Sequence, residues 1–223
     1  MIGLWFVRLF FIFYLLLVLL GYTDIAFYFK PWLVPSLLLL FAGNKFEYLN
    51  KKLVIALFFS TLGDVFLMSE GSLFFILGLS SFLIAHLAYI SIFYELTKPV
   101  FRKGIYNYLL FGLFIYEFIL LQYLWQNLEG MKAPVLIYAT TICVMLWVAL
   151  LLFRTNKSKG SILIILGALS FVCSDSLLSI RLFMDDFEYA QFWVMCTYLL
   201  AQYLIISGLL LLFKKNSKSI LKL

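Results

Sequence analysis

The stretch ALFFSTLGDVFLM, residues 56–68, decides how the chain is read. It is an apolar run interrupted by Asp64, which directly follows Gly63 and lies one helical turn after Ser60. A carboxylate near the centre of a spanning helix costs about 2.5–3.5 kcal/mol on insertion scales, so an acid placed there is a functional candidate. Gly63 beside it lets a second backbone, a side chain or a ligand come close, which a larger residue would prevent. The device recurs once, at Ser174-Asp175.

The surroundings of this stretch set its class. Of 223 residues, 65% are hydrophobic, 20% aromatic and only 13% charged, which excludes an ordinary soluble domain and a disordered chain alike. Runs long enough to cross a bilayer fall at 4–22, 31–43, 51–69, 72–95, 104–125, 133–153, 160–184 and 190–213. The expectation is an all-α polytopic membrane protein with eight transmembrane helices in a single integral membrane domain, residues 1–223. The second run is short, begins at Lys30-Pro31 and carries Pro35, so it is expected to be tilted, broken or re-entrant. The first is long enough to span and no small-residue cleavage pattern follows it, so it reads as a helix and not as a signal peptide.

Lysine and arginine placement orients the helices. Lys45, Lys51, Lys52, Lys98, Arg102, Lys103, Arg154, Lys157, Lys159, Lys214, Lys215, Lys218 and Lys222 fall in alternate loops and the tail. The remaining loops carry Asp24, Glu70, Glu129, Asp185, Asp186 and Glu188, with Lys30 and Lys132 as their basic residues. This predicts both termini on the cytoplasmic side of an inner, cytoplasmic membrane. The basic residues are spread over short loops and not gathered on one face, so they report topology; nucleic acid is not an expected partner. Cys143, Cys173 and Cys196 sit in apolar runs without paired spacing and read as small hydrophobes, neither disulfides nor a metal site.

An internal repeat reinforces the two acids. ALFFSTLGDVFL at 56–67 resembles ALSFVCSDSLL at 168–178, and FLIAHLAYIS at 82–91 aligns without gaps on YLLAQYLIIS at 198–207, pairing His86 with Gln202. The reading is two parallel four-helix repeats, residues 1–98 and 104–213, related by an axis along the membrane normal. At a helical rise of 1.5 Å per residue, Asp64 lies ~20 Å from Lys51 and Asp175 ~24 Å from Lys159, nearly one level. Glu117 reaches a similar depth and reads as a protonated interhelical hydrogen-bonding group or as a further lining residue. Lys30 and Arg181 lie toward the opposite face from the basic loops, where each could snorkel to water or meet a lipid phosphate.

Two carboxyl groups in one low-dielectric site do not easily both ionise, which leaves a proton donor beside a carboxylate. Such a pair suits hydrolysis through an oxocarbenium-like cation; a hydrogen-bonded structural pair or a proton or ion relay are the alternatives. His86 is the single histidine, so a zinc site built on several histidines is impossible. No Gly-rich phosphate loop, GxSxG elbow or CxxC occurs, leaving nucleotide hydrolysis, serine esterase and thiol redox chemistry without support. No cofactor is expected.

Lys30-Pro31, FSTLGDVFL at 59–67, GLSSFLIAHLAY at 78–89, Tyr138, GALSFVCSD at 167–175 and CTYLLAQYLI at 196–205 together resemble the YhhN/TMEM86 family of multispanning lysoplasmalogenases. The resemblance runs from the second expected helix to the eighth. It implies hydrolysis of the vinyl ether bond of lysoplasmalogen, a lysophospholipid, to a fatty aldehyde and a glycerophospho-ethanolamine or -choline. It also implies Asp64 and Asp175 as the catalytic pair, with Lys30, His86, Tyr89, Tyr138, Tyr198 and Gln202 supporting them or the substrate, alongside Ser60, Gly63 and Ser174 read from the motifs. The competing class is a transporter or lipid-binding protein that uses the aspartates for proton or ion coupling.

Overall fold

The computed structural model describes residues 2–42, 49–97, 105–184 and 186–220. Lys45, Lys98, Arg102, Lys103, Asp185 and Lys222 of the charge argument lie outside the described residues, as do the side chains of Lys215 and Lys218. The described residues form helices and no strand: α1 (Ile2–Leu19), α2 (Thr23–Ser36), α3 (Leu39–Ala42), α4 (Lys51–Phe66), α5 (Ser72–Leu96), α6 (Ile105–Leu124), α7 (Lys132–Thr155), α8 (Lys159–Phe183) and α9 (Ala190–Ile220). Among the described residues, five segments are long and apolar enough to cross a bilayer: Thr23–Phe41, Ser72–Leu96, Glu129–Thr155, Lys159–Phe183 and Ala190–Lys214. Gly3–Leu19 and Tyr108–Leu124 are shorter apolar helices. The chain is a multi-pass membrane protein.

The second expected span is corrected. Its helix begins at Thr23, eight residues before the proposed start at residue 31, and runs through Pro31 and Pro35 to Ser36. Asp24 in the first turn suits the positive end of the helix dipole, although its charge lowers the hydropathy that a window would register. Each proline removes one i→i−4 bond and crowds the carbonyl four residues back, so a helix carrying two of them gives way. It does so just after Pro35, where the Leu37 and Leu38 amides donate only three residues back, to Val34 and Pro35, both at 3.0 Å. Lys30 therefore sits inside α2 and not at its entrance.

Two helix starts follow from local chemistry. The Asn50 side chain accepts from the Lys52 amide at 2.9 Å and caps α4; Ser158 and Ser161 form a reciprocal capping box on α8.

The tightest pair is α8 against α9. A Cβ on Gly160 would come within 2.8 Å of the Gly208 carbonyl oxygen, and one on Gly208 within 2.6 Å of the Gly160 oxygen, so the two backbones touch, as small residues permit in membranes. The other close hairpin is α4 with α5. α5 packs on α7, α7 on α8 and α2 on α4, while α6 packs mainly on α7 and touches α8 sparsely. The α4–α5 and α8–α9 turns border one cavity and so share an end of the bundle. The hairpin geometry of α4 and α5 puts the Lys52–Glu95 ion pair at the other end.

Candidate functional site

Asp64 on α4 and Asp175 on α8 border a single cavity of about 520 Å³ enclosed by α2, α4, α5, α8 and α9. Asp64 is 4% exposed, whereas Asp175 is partly exposed to the space around it. The packing of α4–α5 against α8–α9 turns both acids onto the same space.

The two carboxyl groups have different surroundings. Tyr198 Oη donates to Asp64 Oδ2 at 2.8 Å. Gln202 Nε2 donates to the Tyr198 hydroxyl at 3.4 Å, and the Tyr89 hydroxyl donates to Gln202 Oε1 at 2.7 Å. Tyr198 and Gln202 lie one turn apart on α9 and Tyr89 faces them from α5, so three buried polar groups hold one another and the last of them holds Asp64. Asp175 has a shorter support: Tyr138 Oη on α7 donates to its Oδ2 at 3.1 Å.

Phe171, one turn before Asp175, packs between the two sets, its ring centroid 4.9 Å from that of His86, 5.8 Å from Tyr198 and 6.4 Å from Tyr89. His86 also meets Tyr138 edge-on at 5.6 Å. Among the described residues, neither of its ring nitrogens makes a hydrogen bond of normal geometry, and it lies within electrostatic reach of the Phe82 carbonyl one turn back. His86 thus touches the partner of Asp175 and neither aspartate directly.

The other sequence-derived residues separate into those on the cavity and those behind it. Ser174 lines the cavity and donates to the Val194 carbonyl at 3.1 Å, tying α8 to α9 beside Asp175. Ser60 is buried behind Asp64 with no hydrogen-bond partner for its hydroxyl. Gly63 faces Phe82: a Cβ there would fall 2.6 Å from the Phe82 ring, so its task is the approach of α5 to α4. Glu117 accepts from Thr140 Oγ1 at 2.5 Å and lines an apolar crevice adjoining the cavity.

Cations gather at the turn-side end of the cavity. Lys30 and Arg181 both line it, together with Gln191, and all three also line a second cavity of about 460 Å³ that Tyr14 and Asp24 border. Arg181 Nε pairs with Asp186 at 3.5 Å. Lys30 is in electrostatic reach of Asp64 and Arg181. The arrangement offers two carboxyl groups in the membrane layer, two cations nearer the turns, and space between them for a ligand with an anionic group.

A model of the YhhN family matches residues 25–209. The chain belongs to the YhhN family. The YhhN match begins in α2 and ends in α9, so it contains Lys30, both aspartates and the tyrosine and glutamine that support them, while Tyr14 falls before it. Lysoplasmalogenase TMEM86A of Bos taurus is 30% identical over 164 residues, which covers 69% of this chain and 63% of that protein. The match therefore spans less than two thirds of that relative. No solved structure matches the chain.

The sequence reading did not select Tyr14, Phe82, Phe171 or Gln191. Phe171 carried a usable signal, an aromatic residue four before Asp175 and hence on its face of α8. Tyr14, Phe82 and Gln191 carried none, because aromatic residues are common throughout this chain and Gln191 lies at the start of a helix.

Proposed function

We propose that this protein is a membrane hydrolase that cleaves the vinyl ether bond of lysoplasmalogens, with Asp64 and Asp175 as its acid/base pair. The observation that carries the reading is the placement of two carboxyl groups on one cavity whose turn-side end holds Lys30 and Arg181. The named relative supports the substrate class. A protonated aspartic acid delivers its proton to the outer alkene carbon, and the electron pair of the double bond forms the new C–H bond. The ether oxygen stabilises the resulting cation as an oxocarbenium ion. The other carboxylate takes a proton from the water that attacks this ion. The hemiacetal then collapses to a fatty aldehyde and the glycerophospho-headgroup alcohol, which returns the pair to its starting protonation. Tyr138, Tyr198, Gln202, Tyr89 and His86 orient the pair; Lys30 holds the phosphate.

The same reading takes residues 1–223 as one integral membrane domain with eight passages, α2 and α3 together forming the second. The repeats 1–98 and 104–213 then place the α4–α5 and α8–α9 hairpins as equivalent units, with the basic ends and both termini cytoplasmic in an inner membrane. Purified protein is expected to release aldehyde from a lysoplasmalogen, to lose that release in well-folded Asp64→Asn and Asp175→Asn variants, and to leave the saturated ether untouched. Absence of release by the unaltered protein would move the aspartates to proton or ion coupling in a transporter.

A further inference from the structure

A second space adjoins the acid site. It is a crevice between α6, α7 and α8, closed off by the start of α5, and its walls are mainly apolar: Phe75, Leu120, Leu124, Val135, Ile142 and Val172. Asp175, Leu178, Leu182 and Phe75 belong to its wall and to the wall of the acid cavity, so the two spaces adjoin along these residues. From Asp175 to Phe183, the last α8 residue on its wall, is ~12 Å along the helix. The cavity has a mixed wall with two cations; the crevice gives a headgroup almost nothing to bind.

The crevice also borders the least anchored of the long helices among the described residues. α6 packs mainly on α7 and only sparsely on α8. Among the described residues, the side-chain hydrogen bond that joins α6 to α8 is Tyr116 to Ser176, 2.5 Å between oxygens, next in sequence to Asp175. The outer surface of α6 is lined with exposed Phe111, Phe118 and Ile119, residues suited to lipid tails. A hydrocarbon chain lying against this helix can pass between α6 and α8 through a mainly apolar environment. The polar side chains on the crevice wall are Tyr116, Glu117, Tyr138, Asp175, Ser176 and Ser179, set among a majority of apolar ones.

We propose that the crevice between α6, α7 and α8 seats the single hydrocarbon chain of the substrate and admits it sideways from the bilayer. This rests on the hydrolase reading above for the identity of the ligand. The bond to be cleaved then stops at Asp175, which lines both the crevice and the cavity. The headgroup lies on the far side, toward Lys30 and Arg181. Chain length is sensed along α6 and α7, away from the reacting atoms.

Ala139 on α7 lines the crevice and lies outside the hydrogen-bonded groups around either aspartate, so Ala139→Trp fills the crevice without altering the acids. Displacing two methylenes from an apolar site is worth about tenfold. The variant is therefore expected to lower kcat/KM for a hexadecenyl lysoplasmalogen by about tenfold or more and to leave a butenyl analogue unchanged. Equal losses on both substrates, or no loss on either, overturn the proposal. A second measurement does not depend on turnover or on the variant folding. A saturated hexadecyl-ether lysophosphocholine with a diazirine at its chain end, photolysed in the unaltered protein, is expected to label peptides of α6 and α7. Label confined to the lipid-facing surface of α1 overturns the chain site even if aldehyde is released. Label on α6 and α7 with no aldehyde release keeps the chain site and removes the hydrolase reading.

Discussion

Asp64 and Asp175 occupy corresponding positions in similar stretches of sequence, yet their surroundings differ. Asp64 is closed in and held by Tyr198, which Gln202 and Tyr89 support in turn. Among the described residues, Asp175 accepts from Tyr138 and lies on the walls of both the apolar crevice and the cavity. Similar stretches of sequence thus carry two like groups that the packing makes unlike. On the proposed acid/base reading, such a difference biases which of the two carboxyl groups holds the shared proton.

The largest test of this comparison removes the acids. Asp64→Asn and Asp175→Asn are each expected to lower aldehyde release by about 10²–10⁴-fold, the range for loss of a positioned acid or base. A variant that keeps full rate and native thermal stability would make its aspartate a structural group and end the pairing.

Gly63→Leu comes next. The Cβ alone would meet the Phe82 ring at 2.6 Å, and overpacking of this kind costs typically 1–3 kcal/mol. It is expected to abolish activity and lower the melting temperature while Asp64 is intact. A trimmed partner, Phe82→Ala in the same chain, should recover part of the stability. Unchanged melting in the single variant would show that α4 and α5 have room to separate.

The asymmetry itself is probed by Tyr198→Phe against Tyr138→Phe. A hydrogen bond to a charged group contributes roughly 1.5–3 kcal/mol, so the first is expected to reduce kcat about 10–100-fold. The second removes the longer bond, at 3.1 Å on a partly exposed group, and should cost only a few-fold. Because the tyrosines support one proposed acid/base pair, the double variant is expected to lose less than the product of the two losses. Equal single effects would mean that the two supports are interchangeable.

The smallest effect belongs to Tyr89→Phe, three hydrogen bonds away from Asp64. Interhelical hydrogen bonds in membranes average ~0.6 kcal/mol, with a maximum near 1.7, so a slight fall in thermal stability with nearly native kcat is expected. A loss of rate as large as that of Tyr198→Phe would show that the chain of bonds moves a proton and does not merely fix a tyrosine.

Hydropathy and charge were enough to place the helices within a few residues, with one exception. From residue 23 to 30 the chain contains Thr23, Asp24 and Lys30 before two prolines, features that a window reads as a loop, whereas the folded chain tolerates them because Thr23 and Asp24 lie in a first turn and Lys30 faces a cavity. Arg181 showed its register only when α8 was packed against its neighbours. Glu117 looked equivalent to the two aspartates by depth, and it faces the crevice instead.

What the sequence by itself determined is helical class and membrane residence, because these depend on composition and run length. Only the tertiary structure decided which tyrosine serves which carboxyl group, that Gly63 admits Phe82, and that Asp175 lines both the crevice and the cavity. Those outcomes depend on how each helix is turned about its own axis and which neighbour it meets, and in a chain apolar on almost every face the sequence leaves that rotation open until the helices pack.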